Sequence, residues 1–112
     1  MEVKIQRRGQ IIGVKKEKLA EYLDLHRNIP ADIQAMLLEA GFQKLEIYVQ
    51  ELPNGDCWLF QYNEQVPGNE KALDNDRYRE WLRVTGLCQQ PLPGETFWKD
   101  MDLAYTLHPE CQ

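Results

Sequence analysis

The stretch FQKLEIYVQELPNGDCWLFQYNE, residues 42–64, constrains the fold of this 112-residue chain more than any other. Leu45, Ile47 and Val49 alternate with Lys44, Glu46 and Tyr48, the period-two signature of a half-buried strand. Beyond Pro53, Trp58, Phe60 and Tyr62 alternate in the same way with Cys57, Leu59 and Gln61. The Asn-Gly pair at 54–55 between two alternating runs predicts an antiparallel hairpin.

The pattern changes on both sides of the hairpin. QIIGV at 10–14 is short and β-branched and predicts a first strand. Leu19, Tyr22, Leu23 and His26 then follow at i, i+3, i+4 and i+7, which is one helix face. Asn28 and Pro30 interrupt that helix, because proline disfavours α geometry in the residue before it. A second helix, PADIQAMLLEAG, carries Ile33, Met36, Leu37 and Ala40 on one face, with Gly41 suited to its C-terminal cap. After the hairpin a third helix is predicted at roughly 70–85, with Tyr78, Trp81, Leu82 and Thr85 on its face and Gly86 ending it. CQQPLPGETFW reads as a loop. MDLAYTLHP, residues 101–109, predicts a last strand in which Leu103, Tyr105 and Leu107 alternate and Pro109 closes the run.

The order β-α-α-β-β-α-β, without repeat or linker, predicts one α+β domain over 1–112: a ferredoxin-like plan with helices on one face of a four-stranded antiparallel sheet. The other face needs a cover. Trp58, Phe60 and Tyr62 on the hairpin make pairing with a second copy the expected solution, giving a homodimer.

Composition removes several function classes. The net charge of −5 argues against a nucleic-acid footprint, and KKEK at 15–18 is broken by Glu17 and followed by Glu21 and Asp24. No apolar run reaches the ~18 residues of a membrane span, and MEVKIQRRGQ lacks an apolar leader segment, so a cytoplasmic protein is expected. Cys57, Cys88 and Cys111 are odd in number and lack metal spacing, so neither a disulfide framework nor a zinc site is signalled. No dinucleotide or phosphate-cradling glycine motif occurs, and no serine occurs at all, which excludes a serine hydrolase. No cofactor or metal is expected.

Proton transfer is left. His26 is the helical side chain whose ordinary pKa lies near neutrality, and Tyr22 sits one turn before it on the same face. Trp81, on the third helix, would reach the same layer between helices and sheet. An acid–base group, a phenol and a flat indole together suit a sugar site. Spacing alone more often marks a helix boundary, where a cationic histidine gains about 0.3–1 kcal/mol from the helix dipole.

Taken in order, EYLDLHRNIP, LLEAGFQKLEIYVQE, the tryptophan helix and MDLAYTLHP resemble the L-rhamnose mutarotase family. Its members read E-Y-x-x-x-H-x-x-I-W-P-E-L, then L-x-x-x-G-x-x-x-Y-x-I-Y-L, then W-W-x-Y-M. The resemblance implies a ferredoxin-like monomer pairing as a dimeric α/β barrel. It implies cofactor-free interconversion of the α and β anomers of L-rhamnose or a related hexose or 6-deoxyhexose. By the same resemblance His26 is the proton donor, with Tyr22 and Trp81 contacting the monosaccharide. The chain departs where the family's first tryptophan of the pair is Glu80, where a pocket tyrosine is Leu45 with only Tyr48 kept, and where W-P is replaced by Pro30 and Ala31. Glu80 is a candidate second proton carrier, and Trp98 a candidate to refill the vacated space. Two other readings fit the same architecture: a cofactor-free monooxygenase with a helix histidine beside an apolar pocket, and a non-catalytic sugar-binding dimer.

Overall fold

The computed structural model describes residues 4–107. The elements run β1 (Gln6–Val14), α1 (Leu19–Arg27), α2 (Ala31–Glu39), β2 (Phe42–Glu51), β3 (Cys57–Gln65), α3 (Asp76–Gly86), β4 (Gln89–Gln90) and β5 (Lys99–Met101). Short 3₁₀ turns, Lys16–Lys18 and Glu70–Leu73, precede α1 and α3.

The sheet order is β2-β3-β1-β4, all antiparallel, with β5 pairing the same free side of β1 farther along. The fourth position of the ferredoxin-like sheet is therefore shared by two short segments. Successive residues of a strand face opposite sides, so Cys57, Leu59, Gln61, Asn63 and Gln65 look toward the helices and Trp58, Phe60 and Tyr62 look away. Ile12, Val14, Tyr22, Cys57, Leu59 and Cys88 form the core between α1 and the sheet, with Leu19, Leu25, Ile47 and Trp98 packed against it. The hairpin turns through a five-residue loop, Leu52 N–H donating to the Asp56 carbonyl at 2.8 Å.

Two glycines are dictated by close approach. A Cβ at Gly13 would lie 2.6 Å from the Gln90 carbonyl oxygen, so the β1–β4 pairing needs glycine there. Gly41 turns α2 into β2 at φ 101°, and a side chain would collide with the Val66 carbonyl, which belongs to the residue that donates its own N–H to Gly41 at 2.8 Å.

Three expectations need correction. The third helix starts at Asp76 rather than near residue 70, because the Asn75 side chain accepts from the Tyr78 N–H at 2.8 Å and caps it there. The last strand holds only Lys99–Met101, and Gln89–Gln90, expected in a loop, pairs with β1. Met101, opposite Gly9, is the last residue paired with β1, and the chain beyond it leaves the sheet. Leu103, Tyr105 and Leu107 are accordingly 79%, 75% and 68% exposed; Pro109 and Cys111 lie outside the described residues. On β2, Leu45 and Val49 face the helix side as expected yet are 38% and 41% exposed, because β2 is the edge strand.

Candidate active site

The helical spacing of α1 aims Tyr22 and His26 at the sheet. Tyr22 is buried in the core, and the His26 ring lies over it with centroids 4.2 Å apart and planes inclined by 30°. The Trp81 ring arrives from α3 at 5.6 Å and 57°. His26 Nδ1 is 3.0 Å from the Tyr22 carbonyl oxygen. A carbonyl only accepts, so Nδ1–H donates, and in the neutral ring Nε2 carries the free lone pair. Burial holds His26 below its ordinary pKa, opposed in part by that hydrogen bond. Burial also pushes Tyr22 up to about 12, against a hydrogen bond with Gln89 that draws it down. At neutral pH the site therefore holds an uncharged imidazole and an intact phenol.

These groups line a cavity of about 190 Å³. That is below the ~300–1,000 Å³ of drug-sized pockets and suits a small molecule. Leu45, Ile47, Tyr78 and Trp98 add apolar and aromatic wall, and Gln10, Gln61, Asn63 and Gln89 supply amides. The amides are linked across strands. Gln10 donates to Asp100 Oδ1 at 2.8 Å, and its carbonyl oxygen accepts from Gln61 Nε2 at 2.6 Å and from Asn63 Nδ2 at 3.4 Å. Asn63 Oδ1 is the one buried side-chain polar atom among the described residues without a hydrogen-bond partner. Two larger hollows, about 380 Å³ beside Lys16 and Trp58 and about 790 Å³ beside Tyr62 and Leu103, are lined by no histidine among the described residues.

The fold thus gathers His26, Tyr22 and Trp81 at one cavity and places Trp98, the candidate to refill the vacated space, on its wall. It does not bring in Glu80. That carboxylate is solvent-exposed and held below its ordinary pKa by Arg83, whose guanidinium it accepts at 2.8 Å, so a role as second proton carrier is ruled out by position. Tyr48 is on the outer face, donating to Glu46 at 3.2 Å. Pro30 caps the start of α2. The motifs and helical spacing do not single out the amides; their signal is polar residues recurring every second position on β3, where a core-facing strand would be apolar.

A ferredoxin-like sheet with three helices on one face and a histidine-bearing cavity between them defines a class of small α+β proteins. Solved structures share this fold. An L-rhamnose mutarotase from Formosa agariphila is similar with TM-score 0.72 at 15% identity, covering 92% of this chain and 99% of that one. A conserved protein from Methanosarcina mazei has TM-score 0.58 at 24% identity, covering 88% and 92%. A protein from Nitrosomonas europaea, proposed to be an antibiotic biosynthesis monooxygenase, has TM-score 0.57 at 12% identity, covering 90% and 89%. No curated protein sequence matches significantly. The family model for L-rhamnose mutarotase matches residues 7–107, and the chain belongs to that family. Among the described residues no helix is long and apolar enough to cross a membrane.

Proposed function

We propose that this protein is an aldose 1-epimerase that interconverts the α and β anomers of L-rhamnose or a related (deoxy)hexose. The observation that carries the reading is His26, with Nδ1–H tied to a carbonyl, Nε2 free, and its ring between two aromatics in a sugar-sized cavity. The lowered pKa favours a base as the resting form, so His26 first accepts the anomeric hydroxyl proton. The O1–H pair becomes the aldehyde C=O, the C1–O5 pair passes to O5, and the imidazolium returns its proton there. Rotation about C1–C2 and closure on the other aldehyde face reverse these steps. His26 thus serves as base and then as acid. Tyr22, which the resemblance assigns to contact with the sugar, is 1% exposed and bonded to Gln89 and in this reading holds the imidazole plane instead, while the Trp81 indole packs against the apolar face of the pyranose. The cavity amides favour a polyhydroxylated ligand over the aromatic substrate of a monooxygenase.

We also propose a cytoplasmic homodimer. Cys57 and Cys88 are free thiols, which fits a reducing compartment. Trp58, Phe60 and Tyr62 sit only part-buried on the uncovered sheet face, and Tyr48 beside them is 59% exposed. Sedimentation equilibrium is expected to give twice the chain mass; a monomer at micromolar concentration would remove this part of the reading.

NMR saturation transfer between the anomeric protons of candidate aldoses tests the activity. Wild type is expected to speed exchange, and His26→Ala to lose about 10²–10⁴-fold of that gain. Absence of enhancement with every aldose would reject the assignment.

A further inference from the structure

The hydrogen-bond direction in the cavity floor is fixed from outside it. A carboxylate only accepts, so Asp100 Oδ1 compels the Gln10 side chain to present Nε2 to it at 2.8 Å. The Gln10 oxygen is thereby turned to its cross-strand neighbours, and it takes donors from Gln61 at 2.6 Å and Asn63 at 3.4 Å. Asn63 has then committed its nitrogen, and Oδ1 is left over. That oxygen belongs to a residue 2% exposed that lines the cavity, and it has no partner among the described residues. The side chains of its cross-strand neighbours do not supply one: that of Leu45 is apolar, and Arg8 is exposed at the rim. A buried acceptor without a donor is a standing penalty that a ligand hydroxyl would remove.

We propose that Asn63 Oδ1 accepts a hydroxyl of the bound sugar, and that Asp100, acting through Gln10, is the positioning residue that keeps this oxygen pointed at it. The inference rests on the mutarotase reading only in taking the ligand to be a sugar. It makes Asn63 a specificity-determining residue, since an analogue lacking that hydroxyl leaves the oxygen unpaired.

Calorimetric titration of L-rhamnose and its 2-, 3- and 4-deoxy analogues into wild type and Asn63→Leu tests it. One deoxy sugar is expected to bind wild type roughly 3–10-fold more weakly than L-rhamnose, as for one hydrogen bond, and to show no such penalty in the variant. Unliganded Asn63→Leu is expected to have a higher Tm than wild type, because an unpaired buried atom is gone. A structural amide would do the opposite, lowering Tm and weakening all four sugars alike, and that result overturns the proposal, as does an equal deoxy penalty in both proteins. Asp100→Lys, an exposed change that spares the core and offers Gln10 only donors, is expected to shrink the same penalty while leaving Tm unchanged; an undiminished penalty overturns the positioning role. Anomer exchange measured on the same samples separates the two readings. Exchange without an Asn63-dependent penalty removes only Asn63, and the penalty without exchange removes only the mutarotase. Where a different aldose is the one that binds, its own deoxy series replaces these analogues; failure of every aldose to bind removes both.

Discussion

One sheet face presents two floors to its helices. The paired rows Val14–Cys57 and Ile12–Leu59 are apolar and at most 4% exposed. Two residues along the same strands, Gln10–Gln61 and Arg8–Asn63 continue the identical antiparallel register with amides and a cation. The backbone does not distinguish these halves; the side chains do. The apolar half stabilises by burial alone, while the amide half gives up that gain to hold hydrogen-bonding groups in a fixed direction. Tyr22 joins them. Its ring is part of the core and also a wall of the cavity, so the imidazole stacked on it inherits the rigidity of the packed half.

Substitutions can break this contrast. Leu59→Ala, in the dry half, is expected to lower unfolding stability by about 2–5 kcal/mol, read by urea denaturation, with sugar affinity intact under folding conditions. Gln10→Leu, one row away, should lower stability by only about 1 kcal/mol, since Asp100 is exposed and Gln61 only part-buried, while weakening sugar binding. Equal stability losses at the two positions would dissolve the distinction.

The smallest expected stability effect is that of pH. His26 has a folded pKa below its ordinary value near 6.5. The unfolded chain therefore binds more protons between the two values, and stability is lost as pH falls from about 6.5 through the folded pKa. Above that window His26 contributes no slope. Denaturation midpoints from pH 7.5 down to 5 should decline more for wild type than for His26→Gln, and parallel curves would show that burial does not perturb this imidazole.

Periodicity alone makes part of this legible in the sequence. Period two in 42–64 yields β2 and β3, and the i, i+3, i+4, i+7 spacing puts Tyr22 with His26 and Tyr78 with Trp81. A two-residue strand such as Gln89–Gln90 has no period to read; it exists because Gly13 admits the Gln90 carbonyl. Adjacency to Trp81 is a misleading guide to Glu80, because neighbouring residues on a helix do not share a face. The amide relay is invisible to local patterns because its members, Gln10, Gln61, Asn63 and Asp100, come from three strands whose register no such pattern specifies.

The central claim is that His26, tied at Nδ1 and free at Nε2, moves the proton. Saturation transfer between the anomeric protons of L-rhamnose, followed from pH 8 to 5, measures this directly. Enhanced exchange at neutral pH that fades only below the ordinary histidine pKa, and that vanishes in His26→Ala, is the expected result. Exchange in His26→Ala as fast as in wild type would contradict it.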